Sequence, residues 1–270
     1  MKIIISHDVD HLCPSDHLFH DLFFPKLWIR SIIELFQGKI NIKNLFHRFI
    51  QIFDDRLNRI PEVIKFDKLH NIPSVFFFGM ANTLGMSYKK EFAKPWIDLV
   101  LDSGLDAGVH GVEINDISKM KIEFNDFLLF SGLTKFGIRT HYVRYNKNTF
   151  KKMSILNYIY DTSEFNKQRI ELRPPYKIGS MWEFPLHIMD GYILKNGFES
   201  AQQLTISSLQ MGIKNGLNYF TFLFHDYLFN EKTYPMPKKF YEWFVNYCIQ
   251  NNLEFISYRD AIAELEKQYE

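Results

Sequence analysis

The chain has 270 residues, of which 46% are hydrophobic and 17% aromatic, with a formal net charge of +1. That much apolar matter fills one large core or at most two small ones, and a scattered, near-zero charge with no base-reading motif gives no reason to expect a nucleic-acid partner. Cys13 and Cys248 are the only cysteines, too far apart in sequence for a disulfide framework, which argues against a small secreted scaffold and fits a reducing compartment.

The first element is "KIIIS" at 2–6, which predicts a buried strand and runs straight into His7, Asp8, Val9, Asp10 and His11. One lysine followed by IIIS is far short of a signal-peptide apolar region, and no run approaches about 18 apolar residues. The expectation is therefore a cytoplasmic protein without a membrane span. Residues 16–60 then interrupt the rhythm with an aromatic-rich, helical pattern in which Pro25 reads as a break. They form a helical insertion after the first strand. It either packs on the wall of the domain or offers an amphipathic surface, with Lys26, Arg30, Lys39, Lys43 and Arg48 as its basic side, to a partner subunit, an acyl chain or a membrane.

Further strands are predicted at 72–80, 104–110, 135–145, 158–161, 183–194, 218–227 and 253–257. Between them lie helical patterns at 87–104, stopped by Gly104, at 148–157, at 237–252 and at 257–268, the last capped by Ser257. Strand–helix alternation along the whole length predicts an α/β fold with a mainly parallel sheet. Seven or eight strands in a single domain spanning 1–270 point to a (β/α) barrel rather than an open sheet. In such barrels the chemistry sits at the carboxyl ends of the strands.

On this map the titratable residues gather at strand ends. Asp8 and Asp10 follow the first strand, and His110 ends the third. Arg139, His141 and Arg144 lie on the fourth, Asp161 ends the fifth, and His225 and Asp226 end the strand at 218–224. Alternate residues of an extended chain point the same way, so Asp8 and Asp10 can reach one site. Two carboxylates so close repel unless a cation or proton intervenes. An Asp turn capped by backbone amides is the plain alternative. Two arginines and a histidine in "RTHYVRY" call for anionic partners, and the opening carboxylates are the obvious ones.

Taken in order, these motifs resemble the polysaccharide deacetylase superfamily, the family 4 carbohydrate esterases, and a divergent branch of it. "SHDVD" resembles the family's first motif, "GVHGVEI" its second, "GIRTHYVRY" its third, "YDTSE" its fourth and "LFHD" its fifth, while "EFPLHIMDG" matches a later "PL-x-x-MD" segment of the branch. The resemblance implies a distorted (β/α) barrel and a divalent metal, zinc being the first expectation. It gives Asp8 as the base, oriented by Arg139 or Arg144, Asp10 and His110 as metal ligands, and His225 as general acid, tuned by Asp226 or another carboxylate. The second histidine of the second motif is replaced by Ile114, so the third ligand is open among Glu113, His141, His7 and His11, with His141 in the ligand set we carry forward. "ELRPPY" makes Arg173 a possible substrate contact. Trp182, Tyr142 and Tyr227 are sugar platforms if they are not core aromatics.

The implied activity is hydrolysis of an acetyl or similar acyl amide on an N-acylated sugar or sugar precursor of surface polysaccharide. The rivals are hydrolysis of a small cyclic amide, a non-catalytic carbohydrate-binding or assembly protein with a degenerate metal site, and an ordinary metal phosphoesterase. The last is disfavoured because no phosphate-cradling glycine loop is present.

Overall fold

The central strands are buried on both faces, as a parallel sheet enclosed by helices requires. The computed structural model describes residues 1–18 and 21–267. In chain order the strands are β1 (Lys2–Val9), β2 (Val75–Gly79), β3 (Asp106–Gly111), β4 (Ile138–Thr140), β5 (Tyr160–Asp161), β6 (Tyr176–Ile178), β7 (Met181–Glu183), β8 (Ile188–Met189) and β9 (Tyr219–Leu223). They form one sheet in the order β6-β7-β5-β4-β3-β2-β1-β9-β8, and every pairing but β6 with β7 is parallel.

Segment 181–189 joins both ends of this curled sheet: its first half pairs with β5 as β7, its second with β9 as β8. Where Pro185 lacks an N–H, side chains continue the ladder. Thr221 Oγ1 accepts from the His187 N–H at 3.0 Å, and His187 Nδ1 accepts from the Thr221 N–H at 3.0 Å. Burial keeps the His187 ring neutral, down at about 4, as an accepting nitrogen requires. The result is the distorted (β/α) barrel.

The helices are α1 (Phe23–Phe36) and α2 (Ile42–Ile50) in the insertion, then α3 (Ile60–Leu69), α4 (Lys90–Asp102), α5 (Ile117–Ser131), α6 (Thr149–Ile155), α7 (Asp190–Ile193), α8 (Phe198–Lys214), α9 (Pro235–Gln250) and α10 (Tyr258–Lys267). Strand alternation puts neighbouring residues of one strand into different apolar clusters. Phe76 and Phe78 of β2 lie in the larger apolar cluster, with Ile97 of α4 and Phe127 of α5. Phe77 belongs to a second cluster with Tyr160, Trp182, Phe184, Tyr219 and Tyr258, in which Tyr160 and Tyr258 stack at 4.4 Å. Trp182 is therefore packing within the barrel, 1% exposed, and offers no sugar platform.

Several boundaries differ from the sequence expectation for local reasons. The strand expected at 135–145 ends at Thr140, because Tyr142 and Val143 take left-handed backbone at φ 60° and 47°. That at 183–194 is interrupted between Glu183 and Ile188, around Pro185, and ends in α7. The one at 253–257 reduces to a single bridge between Ile3 and Phe255. Pro25 does not break α1; it sits in the first turn, where no helical bond needs its N–H. The predicted stops hold. Gly104, at φ +83°, follows α4, and Ser257 Oγ accepts from the Asp260 N–H at 3.0 Å to start α10. Of the expected elements, Phe19 and His20 in the insertion and Gln268 at the last helix lie outside the described residues. Among the described residues no helix is long and apolar enough to cross a membrane.

Candidate active site

Parallel pairing puts the carboxyl ends of β4, β3, β2, β1, β9 and β8 side by side on one rim. Asp8 is near the end of β1 and Asp10 just beyond it. His110 is on β3 opposite Gly79 of β2, and His141 follows β4. His225 follows β9, and Asp190 begins α7 straight after β8.

Three of these side chains converge. His110 Nε2 lies 3.2 Å from Asp10 Oδ1, His141 Nδ1 lies 3.4 Å from the same oxygen, and the two ring nitrogens are 3.1 Å apart. The outer nitrogen of each ring is already committed. His110 Nδ1 donates to the Arg139 carbonyl at 3.1 Å and His141 Nε2 to the Leu84 carbonyl at 3.1 Å. When neutral, each ring therefore turns a lone pair inward. Asp10 Oδ1 is buried between them without a hydrogen-bond partner among the described residues. Two lone pairs and an orphaned carboxylate oxygen facing one point suit a divalent cation, and the donors of these three residues lie within 4.8 Å of one another. Burial by itself would raise the Asp10 carboxyl, but His110, His141 and His225 hold it well below the usual carboxylate range. Burial disfavours a charge on His110, yet Asp8 and Asp10 outweigh it and raise that ring.

The positive φ at Tyr142 and Val143 is what aims His141. A β-branched residue in that region is strained by roughly 1–3 kcal/mol. Arg144 donates to the carbonyls of His141 at 3.2 Å and Val112 at 2.6 Å and so clamps the kink. The expectation that Arg144 is an alternative to Arg139 in orienting Asp8 is thereby corrected: its guanidinium serves the turn. Across from it, Gly85, at φ +91°, lets the next loop approach, since a Cβ there would stand 2.9 Å from the Tyr142 hydroxyl. Tyr142 stays on the rim, its ring 3.9 Å from that of His141.

Arg139 is fully buried and reaches Asp8 Oδ1 with Nη1 at 3.0 Å. Its other donors bond the Thr162 carbonyl and hydroxyl at 3.1 and 3.2 Å, and Phe77 lies under the guanidinium at 4.8 Å. The second Asp8 oxygen lies 3.7 Å from His110 Nε2. Asp8 thus sits beside the cation cradle while its charge is matched from behind.

On the opposite side of β1, His225 Nε2 points at Asp10 Oδ2 from 3.6 Å. Its Nδ1 bonds Asp190 at 2.9 Å, and its backbone N–H donates to the same carboxylate at 2.6 Å. Burial favours the neutral ring, but Asp190, with Asp10 and Asp8 behind it, pushes His225 up to about 10. Asp190 is the acid of "EFPLHIMDG", to which the sequence assigns no role; pairing of β8 with β9, Met189 opposite Leu223, brings it here. The carboxylate bonded to His225 is thus Asp190 and not Asp226. Asp226 is fully buried, accepts from the Arg59 N–H at 2.8 Å, and is raised by burial to about 7.

The other candidate ligands are engaged elsewhere. His7 points to the opposite face of β1 and bonds the Phe224 carbonyl at 2.9 Å and Asp67 at 3.0 Å. His11 bonds His17 at 3.1 Å, with His17 in turn on Asp21 at 2.8 Å. Glu113 Oε1 accepts from the N–H groups of Ile114 and Asn115 at 2.9 and 2.7 Å. Arg173 pairs with Glu164 at 2.8 Å. Asp161 is buried against its strand partner Glu183 and takes the Ser163 hydroxyl at 2.6 Å; burial raises both carboxyls, Glu183 the further. Tyr227 packs against His225 at 5.9 Å and His11 at 4.9 Å.

No family model matches the sequence, and no curated protein matches it. Solved structures do. A protein described as a polysaccharide deacetylase from Mycobacterium smegmatis superposes with a TM-score of 0.65 at 14% identity, covering 99% of this chain and 91% of its own. One from Pseudomonas aeruginosa gives 0.60 at 12% identity, over 97% and 89%. An allantoinase gives 0.59 at 10% identity, over 96% and 86%. With this barrel and these likenesses, the chain has the polysaccharide-deacetylase fold.

Proposed function

We propose that this chain is a metal-dependent hydrolase that removes an acetyl or similar acyl group from the nitrogen of a sugar or sugar precursor. The observation that supports it most is the inward-facing set of Asp10, His110 and His141 between Asp8 and His225. Asp10, His110 and His141 would hold a divalent cation, zinc by its preference for nitrogen and oxygen donors at three protein ligands. Bound there, it would supply Lewis-acid polarisation of the acyl carbonyl and lower the pKa of a water.

The chain's own residues do the rest. Asp8 accepts the proton of the attacking water, its charge held by Arg139. His225, kept protonated by Asp190, donates to the departing amine. Tyr142 offers an exposed ring at the rim for a sugar face. The departure at Ile114 is offset because His141 comes in from the neighbouring strand, which favours an active enzyme over a non-catalytic relative.

The test is acetate release from a panel of N-acetylhexosamine derivatives, nucleotide-linked sugars and a small cyclic amide, with and without added divalent metal. Release that depends on metal and is abolished in Asp8→Asn is expected. Release unchanged in Asp8→Asn refutes the assigned base, and release only from the cyclic amide transfers the activity to that class.

A further inference from the structure

Surface helices normally turn apolar residues inward and polar ones outward. α1 is apolar on both sides. Phe24, Leu27 and the half-buried Trp28 face the body of the protein. Leu22, Ile29, Ile32, Ile33 and Phe36 face solvent, Phe36 at 87% exposure. At 3.6 residues per turn these five fall within about 100° of arc. α2 repeats the pattern: Ile42, Phe46 and Phe49 form a stripe that Phe53, just beyond the helix, continues at 86% exposure.

Packing joins the two helices into one unit. Trp28 stacks on Phe49 at 5.4 Å, and the buried Arg48 bonds Glu34 at 2.6 Å and the Thr233 carbonyl at 2.7 Å. Arg48 is therefore internal glue rather than part of a basic surface, a correction to the sequence expectation. Glu34, the one acid between Leu22 and Phe53, is consumed by Arg48 and Arg30. Lys26, Lys39 and Lys43 have no ion-pair partner among the described residues and flank the stripes.

We infer that this two-helix unit docks the protein on an anionic lipid bilayer, apolar stripes in the acyl boundary and the three lysines among the headgroups. Charge selects the occupant. An anionic surface neutralises the three unpaired lysines. α1 also begins at the candidate site: Phe23 lies 4.5 Å from the His11 ring, next to Asp10. An acylated sugar carried on a lipid is the matching substrate class, and this clause alone rests on the hydrolase reading.

The test is co-sedimentation of the full chain with phosphatidylcholine vesicles, with and without phosphatidylglycerol, at low and high salt. Pelleting is expected with phosphatidylglycerol at low salt only. Phe36→Glu and Phe53→Glu, both exposed and so harmless to folding by circular dichroism, should each lower the partition at least tenfold. Joint replacement of Lys26, Lys39 and Lys43 by Gln should lower it about a hundredfold. No pelleting, equal pelleting with neutral vesicles, or a dimer abolished by Phe36→Glu without vesicle binding would each overturn the inference. Vesicle binding reads no chemistry, and acetate release from a small soluble substrate should be unchanged in Phe36→Glu. Failure here therefore stays separate from failure of the hydrolase reading.

Discussion

Arg139→Met is the sharpest probe of how the site is held. The guanidinium is wholly buried and 3.0 Å from Asp8 Oδ1, with Thr162 taking two further donors. At an effective dielectric of 20, unit charges at that distance attract by about 5 kcal/mol, offset by the cost of having desolvated both. Removing one partner of a buried pair leaves the other uncompensated and costs about 3–5 kcal/mol. Methionine refills much of the space over Phe77, so little of that cost is cavity. For a chain of this length the loss lowers the melting temperature by about 7 °C. The assay is thermal and urea unfolding of wild type, Arg139→Met, Asp8→Asn and the double variant. The double variant should recover about 2–3 kcal/mol relative to the sum of the singles. If Arg139→Met unfolds within about 1 kcal/mol of wild type, or the cycle shows no coupling, Asp8 is not held by Arg139 and its assignment as the base loses its support.

Asp190→Asn removes the charge that raises His225 to about 10, so the alkaline limb of the pH–rate profile should move toward neutrality, with kcat down about 10²–10⁴-fold. An unmoved limb would exclude His225 as the acid. The same raised ring contributes stability below the unfolded value near 6.5 that is lost as pH rises toward 10, and Asp190→Asn should flatten that loss in pH-dependent melts. Metal analysis of His141→Ala should show divalent-metal affinity reduced at least tenfold, while Ile114→Ala changes nothing, and saturating zinc at a hundred times its Kd should stabilise wild type by about 2.7 kcal/mol. Asp226 is raised by burial to about 7, so the folded state binds its proton more tightly than the unfolded one and stability falls between about pH 4 and 7. Asp226→Asn, which keeps an acceptor for the Arg59 N–H, should raise the melting temperature at pH 8 and leave it unchanged at pH 4.

Legible in the chain alone were the alternation of strands and helices, the burial of "KIIIS" and the approach of Asp8, Asp10, His110, His141 and His225 to one rim. These follow from short-range periodicity and from the rule that parallel strands end on the same side, both local properties of the chain. What it left open was every choice that depends on a neighbour distant in sequence. His141 rather than Glu113, His7 or His11 faces Asp10 because two residues after it take left-handed backbone and Arg144 ties the turn to Val112. Asp190 rather than Asp226 holds His225 because β8 pairs with β9, which no spacing in the sequence reveals. Trp182 fills the barrel and Arg48 the joint between α1 and α2, since inward or outward facing is fixed by what packs opposite. Residue type sets which chemistry is within reach, but direction is a tertiary property, because a side chain's aim depends on backbone dihedrals that only packing against the rest of the molecule selects.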